Sequence, residues 1–160
     1  MEPLHDFFIA SVSAAGALIG LLFVAISIAP EKIFGEAADP VRRADATGAF
    51  TSLVNIFFVS LGALVPKHGA PIVFAVAVLG MVQILVESAR LGRQYPELRG
   101  RHRFGTISLC IFAVEAVFAA RVWQGHETAD GIVYTVLGIY AYALGTAWTL
   151  LGGRHWRPRS

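Results

Sequence analysis

Long stretches with little or no charge alternate with short polar segments along the whole chain. A bilayer core about 30 Å thick needs about 20 mostly apolar helical residues to cross it, and roughly 17 to 25 are tolerated. Five stretches meet this length, and only the fourth has a charge near its middle, Glu115. The expected helix bounds are 7–29, 40–65, 70–90, 104–123 and 131–152. The predicted fold is an all-α integral membrane protein, a single domain formed by a five-helix bundle.

Short polar connectors mark where these helices begin and end. Asp39 and Pro40 are typical of an N-cap and of a first helical turn, so we expect the second helix to begin there. The segment 66–71 has two prolines and a glycine and predicts a tight turn before the third helix. The N-terminal tail has no Lys or Arg, and the apolar run after it is longer than that of a signal peptide. We therefore expect the first helix to be retained.

The basic residues are concentrated in alternate connectors. Eleven of the thirteen Lys and Arg residues fall in the first and third connectors and the C-terminal tail, and two fall in the other connectors. Short loops rich in Lys and Arg stay in the cytoplasm. This asymmetry supports five spans with the N-terminus outside and the C-terminus inside. The predicted location is the cell membrane (inner or plasma membrane), with anionic lipids at the cytoplasmic face as partners. No nucleic acid is expected, because no fold or aromatic pattern supports it.

Composition excludes several classes of protein. Hydrophobic residues make up 56% of the chain and charged residues 15%, against roughly 25% charged in ordinary globular chains. This composition excludes a disordered chain, because such chains are rich in charge and poor in apolar residues. The single cysteine, Cys110, excludes a disulfide scaffold, an iron–sulfur protein and a structural zinc module. The sequence has no common catalytic or nucleotide-binding motif. We expect neither enzymatic activity nor a cofactor.

Small residues recur at helical spacing on the predicted spans. Glycines lie seven residues apart in the fifth helix, and the first helix has a Gly-x-x-x-Gly motif. These glycines are Gly131, Gly138, Gly145 and Gly152 in the fifth helix and Gly16 and Gly20 in the first. Because small residues let membrane helices approach closely, we expect these faces to pack against neighbouring helices. We also expect one of them to form the interface of a homo-oligomer or of a larger membrane complex.

Four polar residues within the spans are candidates for a functional site. Asn55, Glu115 and Tyr142 lie close to the bilayer midplane, and Gln83 lies about 6 Å toward the cytoplasm. A charged carboxyl in lipid costs about 2.5 kcal/mol or more, so Glu115 is expected to face the bundle or an aqueous cavity. Two interpretations stay open. Either Glu115 binds a proton or cation on a transport path with the others as polar lining, or it fixes helix register by bonding Asn55 or a tyrosine of the fifth helix.

Histidines and a charged pair lie at the ends of the spans. His5, His68 and His126 are predicted on the outer side, where imidazoles are able to hold a divalent metal. No two of them have the spacing of a strong metal site, so solvated loop positions are the expected interpretation and a metal site is the weaker alternative. Glu87 and Arg90, three residues apart, are expected to form a solvated ion pair.

Two classes of function are consistent with this sequence. The first is a small channel- or transporter-like protein for protons, a cation or a small solute, assembled as an oligomer. The intramembrane Glu115, at the same depth as Asn55, favours this class. The alternative is a non-catalytic accessory or regulatory subunit of a larger membrane complex, which the small size, the lack of a clear internal repeat and the arginine-rich connectors favour.

Overall fold

The computed structural model describes residues 2–28, 30–35, 40–66, 68–94, 103–126 and 130–148. Within these ranges the chain consists of helices and turns, without a strand. The helices are α1 (Glu2–Ile28), α2 (Glu31–Phe34), α3 (Pro40–Ala63), α4 (Gly69–Gln94), α5 (Arg103–Trp123) and α6 (Asp130–Trp148). The predicted all-α bundle of five long helices is confirmed. The four-residue helix α2 was not predicted.

The start of α3 and the turn between α3 and α4 agree with the sequence of the connectors. α3 begins at Pro40, as predicted, while Asp39 lies outside the described residues. The turn between α3 and α4 is tight, because a Cβ added to Gly69 would lie 3.0 Å from the carbonyl oxygen of Gly62. The extra helix α2 is held to α3 by Arg43, whose guanidinium donates to the carbonyl oxygens of Ile33 (3.3 Å) and Gly35 (3.1 Å).

The third helix in the chain, α3, lies at the centre of the bundle. It packs against α1, α4 and α6 and also contacts α2 and α5, while α4 packs closely on α5. The core around it consists of aliphatic side chains, alanines and single aromatic rings. Its members include Leu53, Ile56 and Val59 of α3, Val73 and Ala77 of α4, Phe112 and Ala119 of α5, Val136, Ile139 and Ala143 of α6, and Phe8 and Ala15 of α1. The alanines allow close approach of the helices.

The surface of the bundle is apolar, and many of its polar side chains are inside. Large hydrophobic side chains such as Leu21, Phe23 and Leu79 are about two-thirds exposed. Ten polar or ionisable side chains are buried among the described residues, and half of them belong to α3. Those of α3 are Asp45, Thr51, Ser52, Asn55 and Ser60. An apolar surface together with this many buried polar groups is unlike a water-soluble domain, where buried polar groups are the exception.

Four of the helices are long and apolar enough to cross a membrane. The segments with this length and composition are Leu4–Ile28, Arg43–Ala63, Gly69–Arg90 and Asp130–Trp148. They correspond to the first, second, third and fifth predicted spans. The fourth predicted span coincides with α5, which has 21 residues and whose side chains are described from Ile107 onwards. The crossing of a membrane by any of these helices and the orientation of the bundle stay predictions.

Candidate functional site

Asn55 and Glu115 form a buried pair between α3 and α5. The amide nitrogen Nδ2 of Asn55 donates a hydrogen bond of 2.8 Å to Oε2 of Glu115. Asn55 is 4% exposed and Glu115 is 0% exposed. Both residues lie roughly 20 Å along their helices, which explains why two positions sixty residues apart meet. The structure therefore brings together the two residues whose common depth the sequence indicates, and the partner of Glu115 is Asn55.

The single side-chain oxygen of Asn55 and the second carboxyl oxygen of Glu115 have no partner among the described residues. Asn55 Oδ1 and Glu115 Oε1 are both inaccessible to solvent and accept no hydrogen bond from any described residue. Leaving a buried acceptor unsatisfied costs about 1–3 kcal/mol. The site thus has one satisfied hydrogen bond and two acceptor atoms that are available to a hydrogen-bond donor or a cation.

Gly80 of α4 and Phe112 of α5 line the site from the sides. A Cβ added to Gly80 would lie 3.5 Å from Asn55 Oδ1 and 3.4 Å from two ring carbons of Phe112. Phe112 is 1% exposed and lies one helical turn before Glu115. The free oxygen of Asn55 therefore lies beside Gly80, with the Phe112 ring on the other side of that position, in surroundings of low polarity.

Thr51 and Gln83 continue the polar residues from the buried pair toward the surface. Gln83 Nε2 donates to Thr51 Oγ1 at 3.2 Å, and Thr51 lies one turn before Asn55 on α3. Thr51 is buried, whereas Gln83 is exposed. The predicted site residue Gln83 therefore lies near the Asn55–Glu115 pair and is separated from it by Thr51. Thr51 was not among the predicted site residues, although it lies on the same helical face as Asn55.

A separate polar cluster joins α1, α3 and α6. Ser60 Oγ donates to Ser11 Oγ at 2.8 Å, and Tyr140 Oη donates to the Ser11 carbonyl oxygen at 2.7 Å. Every polar group named here has a partner, as expected of a cluster that holds three helices in register. The sequence analysis did not single out Ser11 or Ser60, and it considered the tyrosines of α6 only as neighbours of Glu115. Their shared feature, a hydroxyl within an apolar span, was the available signal.

Tyr142 lies away from the Asn55–Glu115 pair. Its hydroxyl approaches Gly48, since a Cβ added to Gly48 would lie 3.5 Å from it. Gly48 is seven residues before Asn55, which corresponds to roughly 10 Å along α3. The α6 tyrosines thus have other neighbours than Glu115, with Tyr140 at Ser11 and Tyr142 at Gly48.

The glycine positions divide into packed and open ones. Gly131 contacts the ring of Phe118 on α5, and a Cβ added to Gly16 would lie 3.8 Å from the ring of Phe57 on α3. Gly20, Gly138 and Gly145 are exposed, and an added Cβ would have no described atom within 4 Å. Gly152 lies outside the described residues. The seven-residue repeat of α6 therefore contacts a neighbouring helix of this chain at Gly131 and is open at the next two positions.

The groups at the helix ends are solvent-exposed. The predicted ion pair is confirmed, with Arg90 Nη1 and Glu87 Oε1 3.4 Å apart. His5, His68 and His126 are exposed. Within the part of the chain that is described, they do not join a group of three or more possible metal ligands.

The fold and the site define a class: an all-helical bundle with an apolar surface and a buried amide–carboxyl pair. No protein-family model, curated protein or solved structure matches this chain.

Proposed function

We propose that this chain is a small multi-pass membrane protein that passes protons, a cation or a small solute across the cell membrane. The observation that carries the proposal is the fully buried Glu115, held by one hydrogen bond from Asn55 and with one oxygen free. An ionisable group inside a membrane bundle is expensive, and in such bundles these groups mark ion paths and proton relays.

The proposed arrangement has five spans with the N-terminus outside and the C-terminus in the cytoplasm. It counts α5 as a span, because only then do the arginine-rich connectors fall on the same side. The exposed apolar side chains would contact lipid, and the arginines of those connectors would contact anionic headgroups. In this orientation Gln83 and Thr51 lie on the cytoplasmic side of the Asn55–Glu115 pair.

Gln83, Thr51 and Asn55 are the proposed polar lining that leads to Glu115. Their support is the sequence of contacts from an exposed amide to a buried hydroxyl and then, one turn further along α3, to the buried pair. Tyr142 is a weaker part of the lining, because its hydroxyl lies at Gly48. A solute that enters from the cytoplasmic side would meet these groups in that order.

The proposed assembly is an oligomer that uses the open face of α6. Tyr134 is 74% exposed on this helix, and Gly138 and Gly145 leave room for a helix to approach closely. The open Gly20 face of α1 is the other candidate interface.

The test is flux into proteoliposomes that contain the purified protein, with wild type compared to Glu115→Gln. Gln keeps the shape and hydrogen-bonding capacity of the side chain but cannot ionise. The matched control is Glu87→Gln, which makes the same chemical change in an exposed ion pair. Flux in the wild type and in Glu87→Gln, with loss in Glu115→Gln, supports transport through this site. Absence of flux for common ions from the wild type overturns it.

The alternative function is that of a non-catalytic accessory or regulatory subunit. The observation that favours it is the uncovered small-residue face of α6, which a different membrane protein could occupy as well as a second copy. Co-purification of a larger membrane protein, lost on Gly138→Leu, together with the absence of flux would favour this function.

A further inference from the structure

The two unpartnered atoms of the buried pair define the chemistry of the occupant. Asn55 Oδ1 and Glu115 Oε1 are both acceptors, so a ligand that satisfies them must be positive or must donate hydrogen bonds. An anion would add a third unsatisfied acceptor to surroundings formed by Gly80 and Phe112. The site therefore excludes an anion. A neutral donor such as a water molecule would need space of its own, whereas Gly80 and Phe112 pack closely at this position. The choice is therefore between a proton and a metal cation.

Calcium and magnesium ions need more oxygen ligands than this site has. Calcium takes 6–8 oxygen ligands and magnesium requires a near-octahedral set. Three side-chain oxygens belong to the pair, one of which already accepts the 2.8 Å hydrogen bond, and Thr51 Oγ1 accepts from Gln83. Backbone carbonyls inside helices are used in intrahelical hydrogen bonds. In the described part of the chain, no group of three or more His, Cys, Asp or Glu side chains surrounds this position.

A single proton shared between the two free oxygens would satisfy both of them. We infer that the Asn55–Glu115 pair is a proton-binding site in which the neutral Glu115 donates from Oε1 to Asn55 Oδ1. The amide and the carboxylic acid would then be joined by two hydrogen bonds, since Asn55 Nδ2 already donates to Oε2. The step breaks the O–H bond of the donor that delivers the proton and forms one at Oε1, with no electron transfer. This inference deepens the proposed function and rests on it for the role in transport.

The charged groups around the pair lie at a distance along the bundle. On α5 the next charge is Arg121, and on α3 and α4 the nearest are Asp45 and Glu87. Each lies at least six residues from the level of the pair, or roughly 9 Å of helix rise. On α6 the charged residue is Asp130, at the end where Gly131 contacts Phe118. None of these four charged groups lies at the level of the pair itself.

The test is infrared spectroscopy of the purified protein at neutral pH, which distinguishes the C=O stretch of a carboxylic acid from the bands of a carboxylate. We expect Glu115→Gln to remove one acid band, whereas the control Glu87→Gln removes only carboxylate bands. Adding Na⁺, K⁺ or Ca²⁺ is expected to leave the acid band unchanged. If Glu115→Gln does not fold, Glu115→Asp is expected to shift the same band rather than remove it.

The outcomes separate this inference from the proposed function. Loss of carboxylate bands alone in Glu115→Gln overturns the proton site, and so does loss of the acid band when a cation is added to the wild type. An acid band assigned to Glu115 without any flux in proteoliposomes supports the proton site and overturns transport. Flux that depends on Glu115, without an acid band, supports transport and overturns the proton site.

Discussion

Gly80 on α4 lies directly against the free oxygen of Asn55 on α3. A Cβ at position 80 would be in van der Waals contact with Oδ1 at 3.5 Å, and larger side chains would have to displace Asn55 or Phe112. The small size of residue 80 thus allows the polar pair to lie between three closely packed helices. A change at this position tests the geometry of the site without altering any of its polar groups.

We expect Gly80→Ala to be tolerated and Gly80→Val to be destabilising. Ala adds only the Cβ, whereas the branched methyls of Val overpack the site at a cost of about 1–3 kcal/mol. The matched control is Gly20→Val, since no described atom lies within 4 Å of an added Cβ there. Thermal unfolding in detergent would measure the differences. Equal stability of Gly80→Val and Gly20→Val would contradict the close packing at Asn55.

Because Asn55 and Glu115 share a hydrogen bond, we expect replacements of the two residues to have strongly non-additive effects on the free energy of unfolding. Asn55→Leu leaves the buried carboxyl without its donor, which is expected to cost about 1–3 kcal/mol or more. Replacing both side chains, as in Asn55→Leu with Glu115→Met, removes the unsatisfied group and is expected to recover part of that loss. A double-mutant cycle based on unfolding measurements gives the coupling energy. Additive effects of the two changes would mean that the residues do not interact.

The depth of the polar residues along the spans was predictable from the sequence. Their hydrogen-bond partners were predictable only in part. Placing the span midpoints at one level was sufficient to bring Asn55 and Glu115 together, because α3 and α5 have similar lengths before these residues. The contact between Ser11 and Tyr140 was not predictable in this way. It depends on α1 and α6 both lying beside α3, and the order of helices around a bundle is not encoded in the periodicity of single helices.

Tyr140 provides a test of the cluster that joins α1, α3 and α6. Tyr140→Phe removes the donor to the Ser11 carbonyl and is expected to destabilise the bundle by about 0.6 kcal/mol, the average for hydrogen bonds between membrane helices. Tyr134→Phe is the matched control, because that side chain is 74% exposed. Unfolding in detergent measures both variants. Identical stability of the two would indicate that the Tyr140 hydrogen bond contributes nothing.

The glycine repeat of α6 illustrates a second feature that the sequence does not predict, the identity of the neighbouring helix. The repeat indicates a face for helix packing, but it does not say whether the neighbour belongs to the same chain. Gly131 contacts Phe118, while Gly138 and Gly145 face outwards in the described structure. A helix that crosses another at an angle contacts it over a short length, and the rest of its small-residue face is left for other partners.

The open α6 face therefore predicts a specific effect on assembly. Gly138→Leu combined with Gly145→Leu is expected to reduce the size of the detergent-solubilised particle while leaving the fold of each chain intact, since no neighbouring atom is within 4 Å. Ala113→Leu, an exposed small residue on α5, is the control. Light scattering coupled to size-exclusion chromatography measures the particle mass. An unchanged mass would exclude this interface, and a monomeric wild type would exclude the oligomer.

The orientation of the chain and the crossing of α5 are tested together by cysteine accessibility. Single cysteines would be placed at the exposed positions His5, His68, His126, Arg43 and Arg93, in a chain whose Cys110 is first replaced by serine. If the arginine-rich connectors are cytoplasmic, a membrane-impermeant maleimide applied to intact cells labels the three histidine positions and spares the two arginine positions. All five positions should react after the cells are opened. The pair Arg93 and His126 is decisive for α5, because these residues flank that helix and lie on opposite sides only if it spans the membrane. Labelling of both from the same side would reduce the bundle to four spans and place both termini together, and the proposed path to Glu115 would then have no complete membrane bundle around it.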